Sequence, residues 1–104
     1  MSDIVGKWVL QDGVMKGLWF EFKEDGSYYS ELPRLIKIKA SGTYTTGEGG
    51  LIDTDQTKHS MNLIGQFAGL YSIEDDTLKI LFASVPGGPR PDDLSTAGLY
   101  KKEE

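Results

Sequence analysis

The residues that could support catalysis are few in this chain. His59 is its single histidine and it has no cysteine, so a multi-histidine metal site, a thiolate zinc site and a cysteine nucleophile cannot be built from one chain. A Ser-His-Asp triad would depend on His59 alone, which stands between Lys58 and Ser60 in a loop-like segment. A solvent-facing histidine is the simpler interpretation. The sequence therefore predicts a protein that is not an enzyme.

The acidic and glycine-rich segments do not form a recognisable metal or phosphate motif. Residues 53–55 begin like a calcium loop, but Lys58 stands where an EF-hand needs glycine and Ile64 where it needs glutamate. The glycine-rich segments 47–50 and 87–88 are followed neither by Lys-Ser/Thr nor by a helix start, so they are expected to be plain turns. No metal and no cofactor are predicted.

Four side chains are candidates for holding a ligand. Arg90 lies in a Pro-Gly loop, where its guanidinium could pair with a carboxylate ligand or could tie down the loop through backbone carbonyls, and loop anchoring is favoured. Tyr28, Tyr44 and Tyr71 would place hydroxyls in the interior or at the rim of the fold, where they could orient a polar head. Buried structural tyrosines are an equally good interpretation.

Charge and hydropathy exclude two classes of partner. Sixteen acidic against 11 basic residues give a net charge of −5, which disfavours nucleic acid and anionic membranes because both require surplus lysine and arginine. The longest apolar run, 80–83, is far shorter than the ~20 residues of a membrane-spanning helix. Residues 1–7 lack the features of a signal peptide, so a cytoplasmic location is expected unless a leader has already been removed.

The elements that would position these residues are short strands. Residues 18–22 alternate in hydrophobicity, and the Asp25-Gly26 pair that follows is a typical hairpin turn. A second hairpin is predicted around 74–76, whereas the proline-rich segment 86–91 cannot pair in a ladder and must be a loop. Strand signals every ~10–13 residues without helical periodicity predict an all-β fold, a small antiparallel up-and-down barrel of about eight strands, as one domain over 1–104.

The middle of the chain is harder to divide. Residues 35–40 are predicted to continue as a strand through 42–45, with Gly42 easing a bend, while 51–56 is a weak polar strand and 60–64 a better one. The opening strand, 3–10, is expected to pair with the closing strand near 98–102. The predicted inward residues are Trp8, Phe20, Phe22, Ile36, Ile38, Tyr44, Met61, Leu63, Tyr71, Ile73, Leu78, Ile80 and Phe82, with Lys37 and Lys39 outward.

Two sets of residues carry a resemblance to known barrels. Gly6-Lys7-Trp8 matches the Gly-x-Trp signature of the lipocalin and fatty-acid-binding group, in which the tryptophan plugs the closed end of an eight-stranded barrel. With 69–73, 76–79, Phe82-Ala83, Arg90-Pro91 and 99–102 in that order, most of the chain resembles the short lipocalin-like, calycin-type domain of uncharacterised bacterial proteins of the planctomycete type. Leu94 departs from the phenylalanine frequent in that family, and Lys101 or Lys102 from the arginine that covers its tryptophan. The resemblance implies a fold and no activity.

These observations together predict a binding module. The expected ligand is a small apolar or amphipathic molecule, or a carboxylated one held by Arg90, in a small cavity at one mouth of the barrel. The alternative is a protein-interaction module, such as a barrel-type protease inhibitor, which the Gly-x-Trp start also resembles. It could equally be a dimeric structural domain, in which a second copy covers an outer aromatic strip of Trp19 and Tyr29.

Overall fold

Eight antiparallel strands form a closed barrel in the computed structural model, which describes residues 4–13, 15–32 and 38–103. Each strand pairs with the next along the chain and the last pairs with the first, which confirms the predicted up-and-down topology. No helix in these ranges has the length and hydrophobicity needed to cross a membrane. The strands are β1 (Gly6–Leu10), β2 (Trp19–Phe22), β3 (Ser27–Leu32), β4 (Ile38–Gly47), β5 (Leu51–His59), β6 (Gly65–Glu74), β7 (Thr77–Phe82) and β8 (Gly98–Glu103).

The β2–β3 hairpin forms where the sequence predicts it. Gly26 adopts a φ of 88°, a conformation that suits glycine. The Asp25 carboxylate accepts a hydrogen bond of 2.9 Å from the Ser27 amide and so closes the turn. The alternation of β2 then places Phe22, which is 1% exposed, in the interior.

The end of the barrel where β1 begins is closed by Trp8. This side chain is 1% exposed, and its Nε1 donates to the Ile4 carbonyl at 2.9 Å. The ammonium of Lys102 lies 5.5 Å from the centre of the indole ring. Gly6 makes this possible, because a Cβ there would lie 2.7 Å from Cε of Lys102. Of the two candidate lysines, Lys102 covers the tryptophan.

The β1–β8 pairing that closes the barrel was also predicted. β1 begins at Gly6 rather than at Asp3, which lies outside the described residues. Residues Lys7 to Leu10 face Tyr100 to Glu103, so the pairing extends one residue beyond the predicted closing strand, 98–102.

Strand β4 is continuous, and Gly42 marks an irregularity in it. The register of β4 against β5 shifts between Ser41 and Gly42, and a Cβ at Gly42 would collide with the Asp55 carbonyl. This irregularity in pairing lies at the glycine where the sequence predicts a bend. Ile36 and Lys37 lie outside the described residues, so the sides predicted for them are not described.

Residues 60–64 are a loop, and the predicted strand there is wrong. Strand β5 runs on to His59, and the chain then turns through Asn62, whose amide donates to the His59 carbonyl at 3.0 Å and whose φ is 66°. Met61 and Leu63 are 64% and 43% exposed, so neither is part of the core as the sequence suggested. The short apolar run at 60–64 therefore lies at the rim of the barrel and not in its core.

The proline-rich segment is a loop, as predicted, and it packs along the outer wall of the barrel. The Gly87 amide donates to the Gln66 carbonyl at 2.7 Å. A Cβ at Gly65 would lie 2.7 Å from Cβ of Pro86, so the loop and the start of β6 are in close contact. The loop therefore lies beside β5 and β6 instead of over the barrel mouth.

Candidate functional site

A cavity of about 410 Å³ lies inside the barrel at the end opposite Trp8. It is bounded by the inner faces of β2 to β7 and by the loops that follow β1, β5 and β7. Leu18, Phe20, Phe67 and Phe82 contribute to its apolar lining, and Tyr28, Ser30, Thr54, Gln56 and His59 to its polar lining. Its volume falls in the lower part of the range typical of small-molecule sites.

The apolar side of the cavity presents surface that the core does not cover. Phe20 and Phe82 face inward with ring centres 6.1 Å apart, yet both rings are only half-buried. Leu18 likewise packs against the core with part of its side chain open. Apolar surface of this kind gains free energy when a ligand removes it from water.

The polar side of the cavity is a hydrogen-bonded wall. The Tyr28 hydroxyl donates to Oε1 of Gln56 at 2.9 Å, and the Thr54 side chain lies close to the same phenol. Burial raises the pKa of Tyr28 to about 12. Nε2 of Gln56 donates to the Leu63 carbonyl at 2.6 Å, so this wall also holds the β5–β6 loop in place.

His59 lies at the edge of the cavity. Its Nδ1 accepts a hydrogen bond of 3.0 Å from the Met61 amide, which requires an unprotonated nitrogen at that position. The ring is half-buried and lines the cavity, whereas the sequence suggested a solvent-facing side chain. Its position results from the end of β5 lying at the mouth.

Arg90 is held on the outer wall of the barrel. Nη1 donates to the carbonyls of Gly69 and Ile52 at 2.7 and 3.2 Å, and Nη2 to Oδ1 of Asp53 at 2.7 Å. Asp53 alternates with the inward Ile52 and Thr54, which places the guanidinium outside. These contacts are those expected of loop anchoring. The structure does not bring Arg90 to the cavity.

Two of the three candidate tyrosines lie in the closed half. Tyr44 donates from its hydroxyl to the Lys23 carbonyl at 2.7 Å, and its ring meets Phe22 edge-on at 4.9 Å; burial raises its pKa. Tyr71 packs against the core opposite Ile80. Of the four side chains predicted to bind a ligand, the structure brings only Tyr28 to the cavity.

Exposed apolar side chains lie on the loops that follow β1, β5 and β7, and two of them, Met15 and Leu63, line the cavity. Met61 and Val85 are the most open, at 64% and 54%. The others are Met15, Leu63 and Ile64. They belong to the three loops that border the mouth, so the route into the cavity is itself apolar.

Comparison with known proteins does not assign this chain to a family. No protein-family model matches its sequence, and no curated protein matches it. Across the described ranges, no group of three or more histidine, aspartate or glutamate side chains is placed to hold a metal ion. The function must therefore be argued from the cavity.

Proposed function

We propose that this barrel is a non-enzymatic binding module that takes up a small apolar or amphipathic molecule through its open mouth. The observation that carries the proposal is the cavity of about 410 Å³, with half-buried aromatic rings on one side and a hydrogen-bonded wall on the other. Trp8 closes the opposite end, so a ligand enters past Met15 and Leu63, which line the cavity and are 39% and 43% exposed.

The size of the cavity limits the ligand and its affinity. At roughly 30 Å³ for each water-sized group, the cavity holds on the order of a dozen non-hydrogen atoms. At about 0.3–0.6 kcal/mol per atom, such a ligand would bind with Kd between about 10 µM and a few mM. A long-chain lipid would therefore extend out of the mouth.

Lipocalin-like kinship and a cytoplasmic location belong to the same proposal. The covering of Trp8 by Lys102 over Gly6 supports the kinship, because it is the role implied by the Gly-x-Trp resemblance. The chain has no cysteine, so its fold does not need an oxidising compartment.

A cavity-blocking variant tests the binding function. We expect toluene and 1-octanol to bind the wild type in calorimetric titrations. Ala40→Leu should weaken both by at least tenfold, because Ala40 lines the cavity. Thr43→Leu places the same side chain on the exposed outer face of β4 and should bind like the wild type. Equal binding by Ala40→Leu, or no binding of either probe by the wild type, would refute the proposal.

A dimeric structural domain is the second candidate, and the outer aromatic pair favours it. Trp19 and Tyr29 lie on the outer wall with ring centres 5.3 Å apart. The Lys7 ammonium stands 4.2 Å from the Trp19 ring and 3.3 Å from Glu103, so part of this strip is already covered within one chain. Sedimentation at tens of micromolar separates the two candidates, because weak interfaces of ~1,000 Å² assemble in that range. A dimer that is lost in Trp19→Ser would support the dimeric structural domain.

A further inference from the structure

Three cavity-lining residues form a row across neighbouring strands. Ser30 of β3 pairs with Ala40 of β4, and Ala40 pairs with His59 of β5. Directly paired residues share a face of the sheet, and all three line the cavity. The row therefore presents the Ser30 hydroxyl and the His59 imidazole on either side of the Ala40 methyl group. The backbones of Ser30 and His59 are about 10 Å apart, because two strand spacings separate them.

In the next row toward the closed end, two long side chains fill the space above the residue of the middle strand. Tyr28 pairs with Gly42, and Gly42 pairs with Gln56. The two long side chains meet over the glycine in the 2.9 Å hydrogen bond between the Tyr28 hydroxyl and Gln56. That row satisfies its own polar groups.

The Ser30 row leaves its polar groups open. Ser30 is only 8% exposed, and no described residue hydrogen-bonds its hydroxyl. Nδ1 of His59 is used by the Met61 amide, and within the described ranges no acceptor faces Nε2. No buried side-chain polar atom of the described residues lacks a hydrogen-bond partner, so the Ser30 hydroxyl is open to the cavity, where a ligand atom can reach it.

We propose that the ligand is an uncharged amphiphile whose head oxygen, a hydroxyl or an amide carbonyl, lies over Ala40 between the Ser30 hydroxyl and Nε2 of His59. This inference rests on the proposed binding function and specifies its ligand. The apolar tail then contacts Phe20 and Phe82 on the opposite side of the cavity.

The head must accept a hydrogen bond and must not carry a full charge. With Nδ1 accepting from an amide, the neutral imidazole carries its proton on Nε2, which can only donate. An ammonium head cannot accept that bond. A carboxylate would be buried without a counter-charge, because the described lining contains no lysine or arginine and Arg90 is held outside.

Probes of equal chain length test the head group. We expect calorimetric titration at pH 8 to give 1-octanol at least tenfold tighter binding than octanoate or octylammonium. Ser30→Ala and His59→Asn should each weaken 1-octanol about three- to tenfold, the effect of one lost hydrogen bond, and leave toluene unchanged. Asparagine keeps an acceptor for the Met61 amide while removing the Nε2 donor. Ser30→Thr keeps the hydroxyl and should keep the preference for 1-octanol.

The outcomes separate this inference from the function on which it rests. Ser41→Ala, on the outer side of β4 beside the row, is the matched serine control and should bind all probes like the wild type. The head-group assignment would be overturned if octanoate or octylammonium bound as tightly as 1-octanol, or if folded Ser30→Ala kept the wild-type affinity for 1-octanol. Toluene binding by the same proteins would still support the binding function of the cavity. If the wild type bound none of the probes, both the head-group assignment and the proposed binding function would be overturned.

Discussion

Trp8 shows how single residues close one end of this barrel. The indole fills the interior and satisfies its one polar atom through Ile4, so its burial leaves no unpaired donor. Lys102 lies across the ring because Gly6 has no side chain to obstruct it. Three residues thus combine a large buried area with a cation–π contact, and the open mouth is left at the other end.

Removing the Trp8 ring should be strongly destabilising. Trp8→Ala leaves a cavity among fully buried neighbours and is expected to lower the free energy of unfolding by about 3–5 kcal/mol. Trp19→Ala is the control, because Trp19 is half-buried on the outer wall and should cost less than half as much. Chemical denaturation measures both. A loss below about 1 kcal/mol for Trp8→Ala would show that the ring does not support the core.

Arg90 should contribute to stability rather than to ligand binding. Its guanidinium donates to the Gly69 and Ile52 carbonyls, contacts that a shorter side chain cannot make, so Arg90→Ala should lower the free energy of unfolding by about 1–3 kcal/mol. Little of this comes from the ion pair with the exposed Asp53. The affinities for toluene, 1-octanol and octanoate should equal those of the wild type. A selective loss of octanoate binding would instead return Arg90 to the role of carboxylate anchor.

At the scale of elements, the pairing of β4 with β5 determines the shape of the cavity. The shift in register at Gly42 places Gln56, rather than Thr57, opposite the glycine, and so directs Gln56 inward toward Tyr28. Beyond the shift, Ala40 is opposite His59. The row that holds the open hydroxyl of Ser30 therefore depends on one backbone irregularity.

Any side chain at Gly42 should disturb this pairing. A Cβ there would collide with the Asp55 backbone, which cannot rotate away, so Gly42→Ala should cost about 2 kcal/mol or more. Gly47→Ala on the same strand is the control, because its Cβ would lie 3.6 Å from that of Leu51 in ordinary contact, and the change should be neutral within about 0.5 kcal/mol or slightly stabilising. Equal midpoints for the two variants in thermal unfolding would contradict this.

The same elements show what the sequence could and could not predict. Alternation in 18–22 and 77–82, with strong turn signals between strands, was enough to predict the hairpins and the barrel. It was misleading at 60–64, where apolar residues line the rim. The inner face of β5 is formed by Ile52, Thr54 and Gln56, which is too polar to indicate a buried strand from hydrophobicity alone. The positive φ of Asn62 is a turn signal that asparagine could have suggested.

For the whole molecule, the candidate site is a product of register and loop packing. Tyr28 was predicted as a site residue because its type suggests ligand contact, and it does line the cavity. Ser30 and His59 were not predicted as binding residues, because they come together only through the register of β3, β4 and β5. The position of Arg90 likewise depends on the wall against which its loop packs. Local patterns do not contain this information.

The buried tyrosines of the barrel should make the fold sensitive to alkali. Burial raises the pKa of Tyr28 and of Tyr100 to about 12, from an ordinary value of 10.0. Between these values the unfolded chain releases protons that the native barrel retains, so the unfolded state is favoured as pH rises. The stabilisation is complete below about pH 10 and is lost progressively toward about pH 12, on the order of 2 kcal/mol for each tyrosine.

Tyr100→Phe tests this alkaline loss most cleanly. Tyr100 is 6% exposed, and its ring packs against Phe20 at 5.8 Å, so phenylalanine preserves the packing and removes only the ionisable group. Lysine titration and overall charge affect wild type and variant equally. We expect the free energy of unfolding, measured in urea between pH 9 and about 11.5, to fall less steeply in the variant. About half of the loss due to Tyr28 and Tyr100 together should be absent. Parallel curves for the two proteins would mean that the Tyr100 phenol ionises without unfolding the barrel.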